Sequence, residues 1–238
     1  MQTTISTEKC GQRLPFIGRK RETAQLRRLH AQHKHTLVLG PAGVGKSALV
    51  THLAQALPLL VCPQSETLGE ICGTLEMELA PNTLHLPLVQ RKNRLLQKLA
   101  ETHRTVVFDG VGWTTPKISS FLESAMERAT VWICTRSELA RNIGHFWPLL
   151  ARFEIIKLRA FHTYETQALL NAAIDIGQIP SSLEPFARQL HRLAAGLPRT
   201  SCEFLEQFAA GHYDLSRRTG WQLLDTDRRI KNLSLSAV

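Results

Sequence analysis

Between Val38 and Leu53 the chain reads VLGPAGVGKSALVTHL. The spacing G-x-x-x-x-G-K-S is filled by Gly40, Gly45, Lys46 and Ser47, with a further glycine at Gly43. Glycines let a backbone turn its N–H groups inward around phosphate oxygens with no Cβ in the way. A lysine at this spacing supplies a point charge to the β- and γ-phosphates, and the hydroxyl after it is a Mg²⁺ ligand. The helix starting near Lys46 adds the positive end of its dipole to the same anion site. Pro41, Ala42, Gly43, Val44, Gly45, Lys46, Ser47 and Ala48 therefore read as the cradle of an ATP-Mg²⁺ site.

Other chemistry-bearing residues stand at the ends of apolar runs. TVVFDGVGW puts Asp109 at the end of a hydrophobic strand, where a carboxylate holds Mg²⁺ through water. The next residue, where a glutamate often polarises the attacking water, is Gly110. VWICTRS ends another strand on Thr135 and Arg136, a hydroxyl and a guanidinium suited to sensing a γ-phosphate. Arg152, in LLARFEIIKL, precedes the last strand at the rim, where an arginine can reach nucleotide held by a neighbouring subunit. AAGLPRTSCEFL sets Pro198 to pack on the adenine and Arg199 to reach the phosphates, coupling their helix to nucleotide state.

The elements that must position these residues follow from periodicity. Arg19–His33 reads as an amphipathic helix, and strands are expected at Thr36–Leu39, Leu59–Cys62, Thr105–Asp109, Val131–Thr135 and Glu154–Leu158. Leu88–Glu101 and Ser119–Arg128 carry helical spacing between them. Strands alternating with helices make a three-layer αβα parallel sheet. Beyond Leu158 the strand signal stops, and Tyr164–Ile176, Ser181–Ala195, Arg199–Ala210 and Trp221–Leu233 read as helices. The expected organisation is a loose N-terminus over 1–15, an α/β nucleotide-binding domain over 16–160, a helical lid over 161–215 and a basic tail over 216–238.

The chain has 238 residues and a formal charge of +9, with a pI near 9.7. That length holds one sizeable core plus a small lid. The charge favours an acidic partner, with duplex DNA ahead of a membrane surface. Candidate contacts are Arg91, Lys92 and Arg94, and, toward the C-terminus, Arg217, Arg218, Arg228, Arg229 and Lys231. Five scattered cysteines without metal-ligand spacing read as reduced thiols in a cytoplasmic protein, and no apolar run is long enough to span a bilayer. His30, His33 and His35 read as solvated or satisfied side chains, and Trp113, Trp132, Trp147 and Trp221 as packing residues.

Taken in order, FIGRKRETAQLRRL, GPAGVGKS, VVFDG, CTRS, ARFEIIKL and GLPR resemble the AAA+ ATPases over roughly residues 16–210. The resemblance implies a P-loop NTPase sheet with a helical lid, Ile17 and Gly18 flanking the adenine, and Asp109 as the Walker B aspartate. It also implies Thr135 or Arg136 as sensor 1, Arg152 as a trans arginine finger and Arg199 as sensor 2. The finger and lid motifs are similar to the initiator, helicase-loader and transposition-regulator branch; VVFDGVGW, TR and GLP also resemble the STAND signalling ATPases. On the first branch, ATP drives assembly of a homo-oligomeric ring or filament on duplex DNA that recruits a protein partner. Hydrolysis is slow where Gly110 replaces the glutamate. On the second, the chain is a nucleotide-dependent switch acting on a protein, with little hydrolysis and indifferent to DNA.

Overall fold

The computed structural model describes residues 14–63, 67–80, 86–210, 213 and 218–235. The chain divides into two compact units, one of residues 19–159 and one that joins residues up to Gly18 to those from Ala160 onward.

The first unit carries α1 (Lys20–Ala31), β1 (Thr36–Leu39), α2 (Lys46–Ala54), β2 (Leu59–Cys62), α3 (Leu68–Leu79) and α4 (Leu88–Glu101). It continues with β3 (Thr105–Val111), α5 (Pro116–Met126), β4 (Val131–Thr135), α6 (Ala140–Ile143), a 3₁₀ turn over Trp147–Arg152 and β5 (Glu154–Lys157). All pairings are parallel, in the order β2-β3-β4-β1-β5. β1 and β4 are buried along their whole lengths, which is why they read as unbroken apolar runs without alternation. Leu39 stands opposite Thr135 on one side and Lys157 on the other, so the loop after β1 emerges at the C-terminal edge of the sheet.

Helices cover this sheet through spaced apolar faces. Leu95, Leu96 and Leu99 of α4 are buried with Phe121 and Leu122 of α5 and Leu75 of α3 in one core. Thr115 caps α5 by accepting from the Ile118 N–H, and Pro116 follows it, where a missing N–H costs nothing. α3, which periodicity did not announce, starts on a capping box: Thr67 accepts from Glu70 N–H, and Glu70 accepts from Thr67 N–H.

The second unit holds α7 (Thr163–Asp175), a 3₁₀ turn over Ser181–Phe186, α8 (Ala187–Leu193), α9 (Pro198–Ala209) and α10 (Arg218–Leu235). One helix over Ser181–Ala195 was the expectation. Pro185 has no N–H to give and its ring crowds the preceding turn, so the segment runs as 3₁₀ before α8 begins. Leu169, Leu190, Phe204, Trp221 and Leu224 form its core, against which Leu14 and Ile17 pack.

The four tryptophans divide. Trp132 and Trp221 are buried in the cores as expected; Trp113 and Trp147 stand at the surface, 61% and 52% exposed. Among the described residues no helix is long and apolar enough to cross a membrane.

Candidate functional site

The loop after β1 is shaped by glycine at two kinds of position. Gly43 and Gly45 have φ of 76° and 97°, left-handed values that leave their N–H groups free to converge. Gly40 is needed for room: a Cβ there would lie 2.9 Å from the Leu158 carbonyl and 2.9 Å from Val44 Cγ1. α2 begins at Lys46, with Ser47 and Ala48 exposed on its first turn. Pro41 and Ala42 are exposed at the crest, and Val44 is buried beneath it.

Lys46 is buried, its ammonium donating to the Gly40 carbonyl at 2.6 Å and the Pro41 carbonyl at 3.0 Å. Burial pushes its pKa below the usual lysine range, opposed by Cys134 and Asp109 and reinforced by Arg136. A desolvated cation held by two carbonyls is preset for an anion over the loop. Asp109 and Arg136, widely spaced in sequence, therefore lie in the field of the same ammonium.

Asp109 is half-buried near the end of β3, and its Oδ1 is buried with no hydrogen-bond partner among the described residues. Such an oxygen calls for a cation. With the exposed Ser47 hydroxyl at the loop, the oxygen donors here fit a hard divalent ion such as Mg²⁺. Cys134 is fully buried beside this carboxylate; burial, the Asp109 charge and a side-chain hydrogen bond to Asp109 hold its thiol protonated. Gly110 has φ 75° and sits where β3 slips its register against β4 between Phe108 and Val111. An L side chain at that backbone is strained, so the missing glutamate goes with a local backbone geometry that excludes one.

Thr135 is buried at the tip of β4; its carbonyl accepts from the Gly40 N–H at 3.2 Å, tying β4 to the loop. Arg136, next to it, is exposed. Arg152 lies elsewhere. It ends the 3₁₀ turn one residue short of β5, at the edge where Glu154 N–H donates to His35 C=O. Four residues of β5 separate that edge from the loop, about 13 Å of strand. Arg152 is 43% exposed and 3.8 Å from Glu123.

The sequence reading missed Arg19. This buried arginine, at φ 60°, donates from Nη2 to the Val44 carbonyl at 2.9 Å and the Arg159 carbonyl at 2.6 Å, and Nη1 meets Glu22 at 3.2 Å. It clamps the phosphate loop to the segment leaving β5. Its only sequence signal was its place after Ile17 and Gly18 in FIGRKRE.

In the helical unit, Gly18 has φ 74°, and a Cβ on it would strike Glu165 Oε1 at 2.6 Å. Ile17 packs on that unit's core. Pro198 is the first residue of α9, and Arg199 is exposed and pairs with Glu203 at 3.2 Å.

The basic candidates have different circumstances. Arg91 is engaged in a bidentate pair with Glu76, a carboxylate only 2% exposed, and so has a structural task its sequence neighbours do not share. Lys92 is half-buried and Arg94 exposed on the same helix. Arg217 lies outside the described residues; Arg218 opens α10, its side chain not described. His30 Nδ1 meets Thr105 Oγ1 at 2.9 Å, and His35 Nδ1 accepts from the Val131 N–H at 3.1 Å, so both are satisfied.

A parallel sheet with a glycine loop and buried lysine after its first strand defines a P-loop NTPase architecture. Solved structures narrow it to the AAA+ ATPase fold, with its helical lid. The chain is similar to the Orc1 protein of Aeropyrum pernix in complex with DNA (TM-score 0.66, 13% identity, covering 90% of this chain and 66% of that one). It is also similar to Cdc6p of Pyrobaculum aerophilum (TM-score 0.62, 15% identity, 87% and 64%). A third similar structure is the STAND protein PH0952 of Pyrococcus horikoshii, which carries a tetratricopeptide repeat sensor (TM-score 0.56, 16% identity, 93% and 34%). The chain thus spans about two thirds of the first two and a third of the last. No protein-family model matches it, and neither does any curated protein.

Proposed function

We propose that this chain binds ATP with Mg²⁺ on the loop from Pro41 to Ala48 and uses the bound nucleotide to assemble with copies of itself on duplex DNA. Lys46 carries the countercharge to the β- and γ-phosphates, while Ser47 and Asp109 hold the Mg²⁺, which neutralises phosphate charge when bound. Thr135 and Arg136 respond to the γ-phosphate; Ile17, Gly18 and Pro198 border the adenine, and Arg199 links the lid to nucleotide state.

The observation that carries the assembly reading is the opposition of loop and arginine across the sheet. Arg152 is about 13 Å of strand from its own loop, which favours service to a neighbouring copy over service in cis. Contact between Arg152 of one copy and the loop of the next joins unlike surfaces, and such contacts propagate head to tail into rings or filaments. The +9 charge supports DNA as the template, through phosphates and without base reading. Lys92, Arg94, Arg217 and Arg218 are the assigned contacts, with Arg91 contributing only what its pair with Glu76 leaves exposed. The assembled form recruits a protein partner.

One observation favours a second reading. Gly110, at φ 75°, supplies no carboxylate to polarise an attacking water, and the long-lived ATP state this favours suits a nucleotide-dependent switch acting on a protein. Sedimentation with a non-hydrolysed ATP analogue, with and without duplex DNA, separates the two. Large species only when both are present, lost in Arg152→Ala, support assembly on DNA. Assembly on nucleotide alone, or none, with DNA ignored at low salt, moves the function to the switch.

A further inference from the structure

Trp113 is held out into solvent by a purpose-built support. It follows β3 on a short loop braced against the turn after α6. Thr114 N–H donates to Ile143 C=O at 3.1 Å and its hydroxyl to the same carbonyl at 2.6 Å. His145 N–H returns to Thr114 C=O at 3.2 Å, and Phe146 N–H to Thr114 Oγ1 at 2.9 Å. Gly144, at φ 64°, completes the brace: a Cβ there would come within 2.6 Å of the Thr114 carbonyl and 3.0 Å of Trp113 Cε2. The indole packs edge-on against His145, ring centroids 6.1 Å apart, and is still 61% exposed. The ring is therefore fixed in place by its backbone and open on one face, a surface suited to stacking.

The charged side chains on the two segments that build this turn are basic, with Glu123 and Glu138 just outside them and paired with Arg152 and Lys157. Lys117 is exposed on the first turn of α5, which is tied to this turn by the Ser119 hydroxyl donating to His145 C=O at 2.8 Å. Arg141 is exposed on α6, and Trp147, just beyond the turn, adds a second exposed indole. The segments 111–122 and 139–149 contain no aspartate or glutamate. Cations with interleaved aromatic faces and no acids match a sugar-phosphate chain bearing planar bases.

We propose that this surface binds single-stranded nucleic acid, with an unstacked base lying on Trp113 and the flanking phosphates met by Lys117 and Arg141. A base inside a duplex offers no free face, so the ligand is single-stranded. The site needs neither nucleotide nor self-assembly, and it stands apart from the duplex reading above.

The test is fluorescence anisotropy without ATP, using a labelled oligothymidylate of about 16 nucleotides and an abasic strand of the same length. The wild-type chain binds the oligothymidylate more tightly than the abasic strand. Trp113→Ala loses about 5- to 150-fold on the oligothymidylate, the range of one stacked base, and little on the abasic strand. Trp113→Tyr, which keeps a ring, recovers most of the loss. Lys117→Ala weakens both strands alike and lowers the salt dependence. Melting temperatures equal to wild type establish that each variant is folded. Equal binding of the two strands by the wild type, or an unchanged affinity in Trp113→Ala, overturns the proposal. So does Trp113-dependent binding of polyglutamate with no binding of the oligothymidylate, which would make this a protein-docking face.

Discussion

The two ends of the α/β sheet are built on opposite plans. At the C-terminal end the anion site is made of backbone, one buried lysine and a carboxylate oxygen without a partner. At the N-terminal end the charged groups are surface side chains, and the cations are already partnered. Arg104 meets Glu78 at 2.7 Å, Arg128 donates to the Ser124 carbonyl at 2.7 Å, and Arg152 faces Glu123. His33, His35 and His103 line, with both Arg104 and Arg128, an open polar cleft of about 370 Å³ there. The first plan tolerates little change, because glycines and a desolvated lysine depend on one another. The second can be altered one residue at a time. The 3.8 Å pair of Arg152 with Glu123, both about half exposed, is worth under about 1 kcal/mol, so releasing the arginine to a neighbour costs little.

The sharpest way to break the contrast is Arg19→Met. Removing the guanidinium leaves the Val44 and Arg159 carbonyls unmet, and the chain should lose roughly 3 kcal/mol in urea unfolding. Next comes Lys46→Ala, expected to weaken ATP binding by about 1.5–3 kcal/mol, or about 10- to 150-fold in titration calorimetry. Because burial lowers the Lys46 pKa and a bound triphosphate raises it, affinity in the parent falls as pH climbs through the interval between the two values. Lys46→Ala should lack that fall. At the other end, Arg152→Ala should move stability by under about 1 kcal/mol and leave the nucleotide affinity of the monomer unchanged, while ATP-dependent assembly disappears on sedimentation. An assembly-competent Arg152→Ala removes the functional contrast between the two ends.

The smallest effect belongs to His35. Burial, and then the Arg152 charge, lower its pKa. Its Nδ1 accepts from Val131, so the neutral ring is the one the fold accommodates. Its unfolded form takes up the proton first, and native stability declines as pH falls through the ordinary histidine value toward the lowered one. His35→Gln should flatten part of that decline in thermal melts.

Where the sequence was legible, a single strong force set the local outcome. β1, β2 and β4 begin and end where their apolar runs do, since strands buried on both faces leave no polar alternation to misread. α4 was visible through Leu95, Leu96 and Leu99. α3 was passed over because its start depends on the Thr67–Glu70 capping box at the edge of a segment with little apolar contrast. The loop from Gly40 to Ser47 was readable because its spacing is its mechanism. Arg19 was not: an arginine among Arg21, Arg27 and Arg28 carries no mark of burial until the chain brings Val44 and Arg159 to it. Trp113 failed the same way, since composition makes a tryptophan a core residue and only the brace at Gly144 reveals that this one is held outside.

The division of the chain has a consequence for how it is made. The helical unit is written in two pieces, with residues 14–18 ahead of the whole α/β unit and the rest from Ala160 onward. Leu14 and Ile17 are translated ahead of the α/β unit, but the helical residues they pack against are translated only after the entire sheet has been completed. Synthesis therefore gives the α/β unit, uninterrupted from Arg19 to Arg159, time to fold first. Its last residue carries the carbonyl that its first residue grips, so the unit closes on itself as a finished cassette while the helical unit still waits for its second half.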